Sequence, residues 1–153
     1  MPNGWDALRP RLSENCSNKD SAPSRSSGLI SLLIQTDSNH AAAVKMAQAI
    51  DNKSVDIILP AEVLAETLSV LGKKLGNAVA ITTGHTILAH SFFIPYTEPK
   101  FINHTLDRLV RQKSSTSFID CLVMTRGDYY HTTAIFGFDA AFSANSYHLP
   151  QPA

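Results

Sequence analysis

The fold of this chain is decided by the stretch SFIDCLVM (residues 117–124), which is followed after a turn by AIFGFDAAF (residues 134–142). Ser117 is a good N-cap for a helix, because its hydroxyl can accept a hydrogen bond from an unpaired N–H group of the first turn. Asp120 stands three residues later, where it completes a capping box at the positive end of the helix dipole. The run 134–138 is apolar and predicts a buried strand that ends at Asp139. Since open α/β sheets bind ligands at the carboxyl ends of their strands, both aspartates are predicted to lie at one edge.

The composition is that of an ordinary globular domain. The chain has 153 residues, of which 44% are hydrophobic and 17% charged, enough for one domain with a core. Its formal net charge is +0, which argues against coating nucleic acid by bulk charge and leaves room for a local basic patch. Cys16 and Cys121 are far apart, so we expect no disulfide and a cytoplasmic location. No apolar run approaches the roughly 20 residues that span a bilayer, so no membrane contact is expected.

The pattern along the chain predicts an α/β fold. Residues 1–26 are polar and are interpreted as a disordered or atypical tail, and residues 27–150 as the folded domain. Strands and helices are predicted to alternate, which favours a mostly parallel sheet covered on both faces. The predicted helices are 39–50, one that begins at Pro60, 78–89 and 100–112, and the predicted strands are 55–59, 92–96, 134–138 and 147–149.

A third carboxylate completes the candidate site. Glu66 follows the predicted strand 55–59 by seven residues, which places it about two turns along the next helix. Spacing alone favours a solvated glutamate. The alternative is that Glu66, Asp120 and Asp139 converge on a divalent cation, because carboxylate oxygens suit Mg²⁺ or Mn²⁺.

Three segments in this order resemble a PIN domain: LPAEVLAETLSVL (residues 59–71), SSTSFIDCLVMTRG (residues 114–127) and AIFGFDAAF (residues 134–142). The resemblance implies a three-layer α/β/α fold in which Glu66, Asp120 and Asp139 are both the catalytic and the metal-binding acids. It also implies Mg²⁺- or Mn²⁺-dependent hydrolysis of single-stranded RNA, as in the toxin ribonucleases of toxin–antitoxin pairs. A bound metal would lower the pKa of an attacking water.

The chain departs from this pattern at its first acid. The family begins with an apolar strand that ends in an aspartate, and here that position aligns with Arg25. Residues 17–24 are polar and contain Pro23, which argues against a central buried strand. We therefore expect the first strand to be missing, the rest of the fold to be kept, and catalysis to be impaired or absent, because a guanidinium near the pocket would repel a cation.

Two classes of function remain open. The first is a metal-dependent endoribonuclease, impaired by the loss of its first acid. The second is a non-catalytic PIN-like module that docks an antitoxin-like protein or forms a homodimer with a second copy of the chain. Tight binding of a divalent metal would favour the first class, and stable folding without a response to metal would favour the second.

Other candidate sites receive less support. The six histidines are scattered without the spacing of a zinc site, and no nucleophile elbow or phosphate-binding loop occurs. Cys121 is more typical of a packing residue than of a nucleophile. A set of basic residues could line a groove for an RNA backbone, but a solvated helix face explains them equally well. The pair Tyr129 and Tyr130 could stack on bases, although tyrosines near a helix end more often cover a core. That set comprises Arg108, Arg111, Lys113 and Arg126.

Overall fold

The computed structural model describes residues 21–53, 56–89, 92 and 94–150. In this part of the chain, a small parallel sheet is combined with a larger number of helices, and this agrees with the predicted α/β class. The elements are β1 (Ser21–Pro23), α1 (Ser26–Leu33), α2 (His40–Lys53), β2 (Asp56–Ile58), α3 (Ala61–Leu75), α4 (Asn77–Ala89), α5 (Pro99–Val110), α6 (Phe118–Tyr129) and α7 (Ala140–Ala144).

The sheet is built around β1. This strand pairs in parallel with β2, with Ala22 opposite Ile57. On its other side the chain at Phe136 runs parallel to it: the Phe136 N–H donates to the Pro23 carbonyl at 2.9 Å, and the Arg25 N–H donates to the Phe136 carbonyl at 3.0 Å. A further parallel bridge joins Ala134 to His148. The segments 134–138 and 147–149, predicted as strands, are therefore attached to the sheet through single bridges.

The presence of β1 differs from the sequence-based expectation that the first strand is missing. Pro23 has no N–H group, but it loses only one donor, on the side that faces Phe136. The neighbouring donors are used: the Ser24 N–H bonds to the Ile58 carbonyl at 2.8 Å. Ala22 and Ser24 are fully buried. The strand is therefore held by backbone pairing on both sides and does not need apolar side chains throughout.

The predicted strand 92–96 is wrong for the residues that the structure describes. Phe92 and the segment 94–96 carry no strand pairing, and residue 93 lies outside the described part. Pro95 lacks a donor for a sheet ladder, and the Tyr96 carbonyl accepts a hydrogen bond from Arg126 at 2.7 Å instead of from a strand. The segment still contributes to the core through Phe92, which is 6% exposed.

The predicted helices are all present, with ends shifted by a few residues. Pro60 is the N-cap of α3, where its fixed φ suits the entry to the helix. One side of α3 is buried through Val63, Thr67 and Leu71. Helix α1 packs closely on the sheet at Gly28, where an added Cβ would lie 2.4 Å from the Phe136 carbonyl oxygen. Among the described residues, no helix is both long and apolar enough to cross a bilayer.

Candidate functional site

The first turn of α6 holds Asp120 in place. The Asp120 N–H donates to the Ser117 hydroxyl at 3.1 Å, and Asp120 Oδ2 accepts from the Ser117 N–H at 2.9 Å. This is the capping box that the sequence predicts. One carboxylate oxygen is used by the cap, and Oδ1 faces Arg25. The side chain of Asp120 is only 7% exposed, so its position is fixed by the helix start.

The ends of two parallel strand segments supply Arg25 and Asp139. Arg25 follows β1 after Ser24, and Asp139 follows the segment whose Phe136 forms a parallel bridge with Ser24. Parallel segments end at the same edge of a sheet, which is why residues 114 positions apart meet. Ser27 links the two ends: its hydroxyl donates to Asp139 Oδ2 at 2.7 Å and accepts from the Phe138 N–H at 3.1 Å.

Glu66 reaches the same place from α3. It lies one turn beyond Glu62, and its side chain is 36% exposed. Glu66 Oε2 accepts a hydrogen bond from the Ser26 hydroxyl at 2.8 Å and forms an ion pair with Arg25 Nη1. The structure thus brings together all three acids that the sequence predicts, from two helices and one strand end. Their roles as catalytic residues and metal ligands remain a prediction.

Arg25 fills the space between these acids. Its Nε lies 2.8 Å from Asp120 Oδ1 and 3.9 Å from Asp139 Oδ2, while Nη1 pairs with Glu66. The guanidinium therefore contacts every carboxylate of the site, and its side chain is 10% exposed. Because the guanidinium is planar and has several N–H donors, one arginine side chain can pair with acids that approach from different directions.

The contacts with the three acids stabilise the protonated form of Arg25. Burial lowers the pKa of its guanidinium, but the hydrogen bond to Asp120 and the charges of Asp120, Glu66 and Asp139 raise it by more, so the pKa lies above its usual value. The cluster combines three carboxylates with one guanidinium, and its formal charge is accordingly −2. Arg25 therefore neutralises the pocket only in part.

A divalent cation does not fit this arrangement. Mg²⁺ and Mn²⁺ require carboxylate oxygens within about 2.2 Å and keep several waters. Here the Asp120 oxygen that faces the site already accepts from Arg25 Nε, and the other oxygen is used by the helix cap. Across residues 21–53, 56–89, 92 and 94–150, no group of three or more His, Cys, Asp or Glu side chains is arranged to hold a metal ion.

One residue of the site was not identified from the sequence: the Ser26 hydroxyl, which bonds both Arg25 and Glu66. Arg25 was identified at the position of the first acid in the motif, but it was expected only to repel a cation. The sequence did not reveal that its guanidinium points into the pocket and pairs with the acids.

A comparison with solved structures finds a similar fold in VapC20 of Mycobacterium tuberculosis, described as a sarcin–ricin loop cleaving toxin. The two chains are 20% identical and superpose with a TM-score of 0.75, over 86% of this chain and 99% of VapC20. Comparisons with protein-family models and with curated proteins find no match. At this identity the likeness shows the fold alone: the chain has the PIN-like three-layer α/β/α fold that the resemblance of its motifs implies.

Proposed function

We propose that this chain is a non-catalytic PIN-like binding module in which Arg25 takes the place of a divalent cation. The observation that carries the proposal is that one guanidinium contacts Glu66, Asp120 and Asp139 at once. In a metal-dependent nuclease, the cation activates water and stabilises the charge that develops on the phosphate. A guanidinium buried among carboxylates supplies neither a bound water of lowered pKa nor an open coordination position.

Electrostatic repulsion argues against binding of both cations together. A metal ion seated between these carboxylates would lie within roughly 4 Å of the guanidinium, where the repulsion is about 4 kcal/mol per unit charge at an effective dielectric constant near 20. For a divalent ion the repulsion doubles. The three carboxylates attract the ion, but the oxygens of Asp120 and Glu66 that it would need are held by Arg25. Metal binding therefore requires Arg25 to leave the pocket, and leaving would break its buried contact with Asp120.

Ligands for such a module are proposed from the fold and not from the pocket. The fold is shared with a toxin that cleaves the sarcin–ricin loop. Binding of single-stranded RNA without cleavage, docking of an antitoxin-like protein and pairing with a second copy of the chain are the proposed interactions. None of them requires an open acidic pocket, since each depends on the outer surface of the domain.

Cleavage assays on the full chain test the proposal. Labelled single-stranded RNA is incubated with Mg²⁺ or Mn²⁺ and with the wild type, with Arg25→Asp, and with the double variant Arg25→Asp/Asp120→Asn. We expect the wild type to show no cleavage above an EDTA control and Arg25→Asp to gain metal-dependent cleavage that the second substitution removes. Arg25→Asn serves as a variant that opens the pocket without adding a fourth carboxylate, and circular dichroism verifies its fold. Metal-dependent cleavage by the wild type, abolished by Asp120→Asn, would overturn the proposal.

One observation favours the second candidate, a ribonuclease of reduced activity that uses Mg²⁺ or Mn²⁺. The cluster retains a formal charge of −2, and the side chains of Glu66 and Asp139 are 36% and 34% exposed. A cation could approach from that exposed side if Arg25 turned away. This candidate predicts slow cleavage by the wild type that rises with metal concentration, so the same assay separates the two.

A further inference from the structure

A second concave site lies at the opposite end of α6 from the acidic pocket. It has a volume of about 720 Å³ and is formed by α5, the last turn of α6 and the segment that precedes α5. Asp120 stands in the first turn of α6 and Tyr129 is its last residue, so the two sites are about 14 Å apart along the helix axis. We call this site the α5–α6 pocket. Its volume lies within the usual range of ligand sites.

Aromatic rings form much of its wall. Tyr96 and Tyr129 are 90% and 64% exposed, which is unusual for side chains of this size. Phe101 meets Tyr129 edge to face with ring centroids 6.0 Å apart, and Tyr129 meets Tyr130 in the same way at 5.0 Å. These contacts fix the rings but leave ring surface of Tyr129 open to the pocket. Exposed and fixed tyrosine rings are suited to stacking on another planar group.

Cationic side chains lie beside these rings. Lys100 and Arg111 are exposed, line the pocket and form no ion pair with any described residue. Arg108 is paired with Asp128, and the acids Glu98 and Asp107 equal Lys100 and Arg111 in number. The fourth cation of the lining, Arg126, leaves the pocket with a formal charge of +1.

Arg126 adds a buried cation behind the rings. Its residue is 4% exposed, and its guanidinium lies 3.8 Å from the centroid of the Phe101 ring. Its Nη2 donates to the Tyr96 carbonyl at 2.7 Å, and its side chain is also hydrogen-bonded to Tyr130. These contacts hold a guanidinium against the aromatic wall of the pocket, where it adds positive charge beneath the ring surface. A solvated helix face explains Lys100 and Arg111, but it does not explain a guanidinium buried under an aromatic ring.

We propose that the α5–α6 pocket binds a nucleotide, with the base against the exposed tyrosines and the phosphate beside Lys100 and Arg111. The combination of an open aromatic surface with neighbouring cations is that of single-stranded nucleic acid sites, where stacking tolerates any base. The nucleotide is either a free nucleoside monophosphate or one unit of a single-stranded RNA. The inference rests on the proposed function only in that the chain acts by binding.

Binding is measured on the full chain in EDTA, so that the result does not depend on the acidic pocket. The probes are a fluorescently labelled 12-nucleotide single-stranded RNA, followed by anisotropy, and unlabelled nucleoside monophosphates as competitors. We expect Tyr129→Ala to weaken RNA binding about 10-fold or more. We expect Arg111→Glu to weaken it and to reduce the salt slope by about 1. Lys73→Glu, an equal charge reversal at an exposed position of α3, is the matched control and should change neither.

Each outcome decides the proposal. Competition by millimolar nucleoside monophosphate identifies the free nucleotide as a ligand, and RNA binding without such competition identifies the polymer. Either result supports nucleotide binding at the α5–α6 pocket if Tyr129→Ala weakens that binding. Binding that is unchanged in Tyr129→Ala and Arg111→Glu, or equally lost in Lys73→Glu, would overturn the assignment. No binding of either probe would also overturn it and leave the pocket to a protein partner. This assay uses the wild-type chain without metal and varies residues outside the acidic pocket, so failure here is distinct from failure of the cleavage assay.

Discussion

Removing the side chain of Arg25 is expected to destabilise the fold strongly. In Arg25→Ala three carboxylates remain close together without a counter-charge. Arg25 and Asp120 are the buried partners, with side chains 10% and 7% exposed, and breaking such a pair costs roughly 3–5 kcal/mol. The contacts with Glu66 and Asp139 are about a third exposed and add about 0–1 kcal/mol each, because solvent screens them. We expect the free energy of unfolding to fall by roughly 4 kcal/mol.

Urea denaturation in EDTA, followed by circular dichroism, measures this loss. Arg111→Ala is the matched control, because Arg111 is exposed and its removal should change stability by less than about 0.5 kcal/mol. The double variant Arg25→Ala/Asp120→Asn should be more stable than Arg25→Ala, since it removes the buried charge that lost its partner. A loss below about 1 kcal/mol in Arg25→Ala would contradict the role given to Arg25, because the guanidinium would then contribute no more than a surface ion pair.

Metal provides a second readout of the same substitution. If Arg25 takes the place of a cation, Mn²⁺ should stabilise Arg25→Ala and leave the wild type unchanged. At a metal concentration 100-fold above the dissociation constant, the gain is about 2.7 kcal/mol. A metal response of the same size in both proteins would contradict the account, since the wild-type pocket would then be open to the ion.

Three further predictions concern the frame of the site. Gly28→Ala should lower the free energy of unfolding by ~2 kcal/mol in urea denaturation, because the new Cβ would lie 2.4 Å from the Phe136 carbonyl oxygen. Gly72→Ala is the control and should be neutral or stabilising, because the nearest atom to its new Cβ is the end of the Asn77 side chain at 3.1 Å. Ser117→Ala should cost about 1 kcal/mol in the same assay through loss of the cap, and an unchanged midpoint would contradict the role of the capping box. Burial raises the pKa of the Cys121 thiol and shields it from solvent. In the variant Cys16→Ser, a thiol reagent at pH 8 should therefore react with Cys121 far more slowly in the native protein than in urea, and equal rates would contradict its burial.

Local sequence signals located the two aspartates, whereas the third acid followed from the resemblance. Asp120 was predicted from a capping box that spans only four residues, and Asp139 from its position at the end of an apolar run. Helical spacing alone favoured a solvated Glu66, and the resemblance of its segment to a PIN domain assigned it to the site. The signals for the aspartates depend on neighbours within one or two turns of the chain, and the structure places all three acids around Arg25.

The remaining features depend on contacts between distant parts of the chain. The segment that contains β1 is polar and includes Pro23, so its local pattern does not predict a strand. Its place in the sheet depends on pairing with β2 and with the segment at Phe136, which are distant in the sequence. The contact between Arg25 and Asp120 joins residues 95 positions apart. Segment 92–96 shows the opposite case, in which an apolar run without pairing carries no strand in its described residues. Tertiary pairing decided both.

Calorimetry of Mn²⁺ binding to the full-length wild type, measured beside Arg25→Asp, is the decisive experiment on whether Arg25 takes the place of the cation. We expect no binding to the wild type up to millimolar Mn²⁺, and binding to Arg25→Asp that Asp120→Asn removes. Submillimolar binding of Mn²⁺ to the wild type, lost in the single variant Asp120→Asn, would contradict the claim that Arg25 takes the place of the cation.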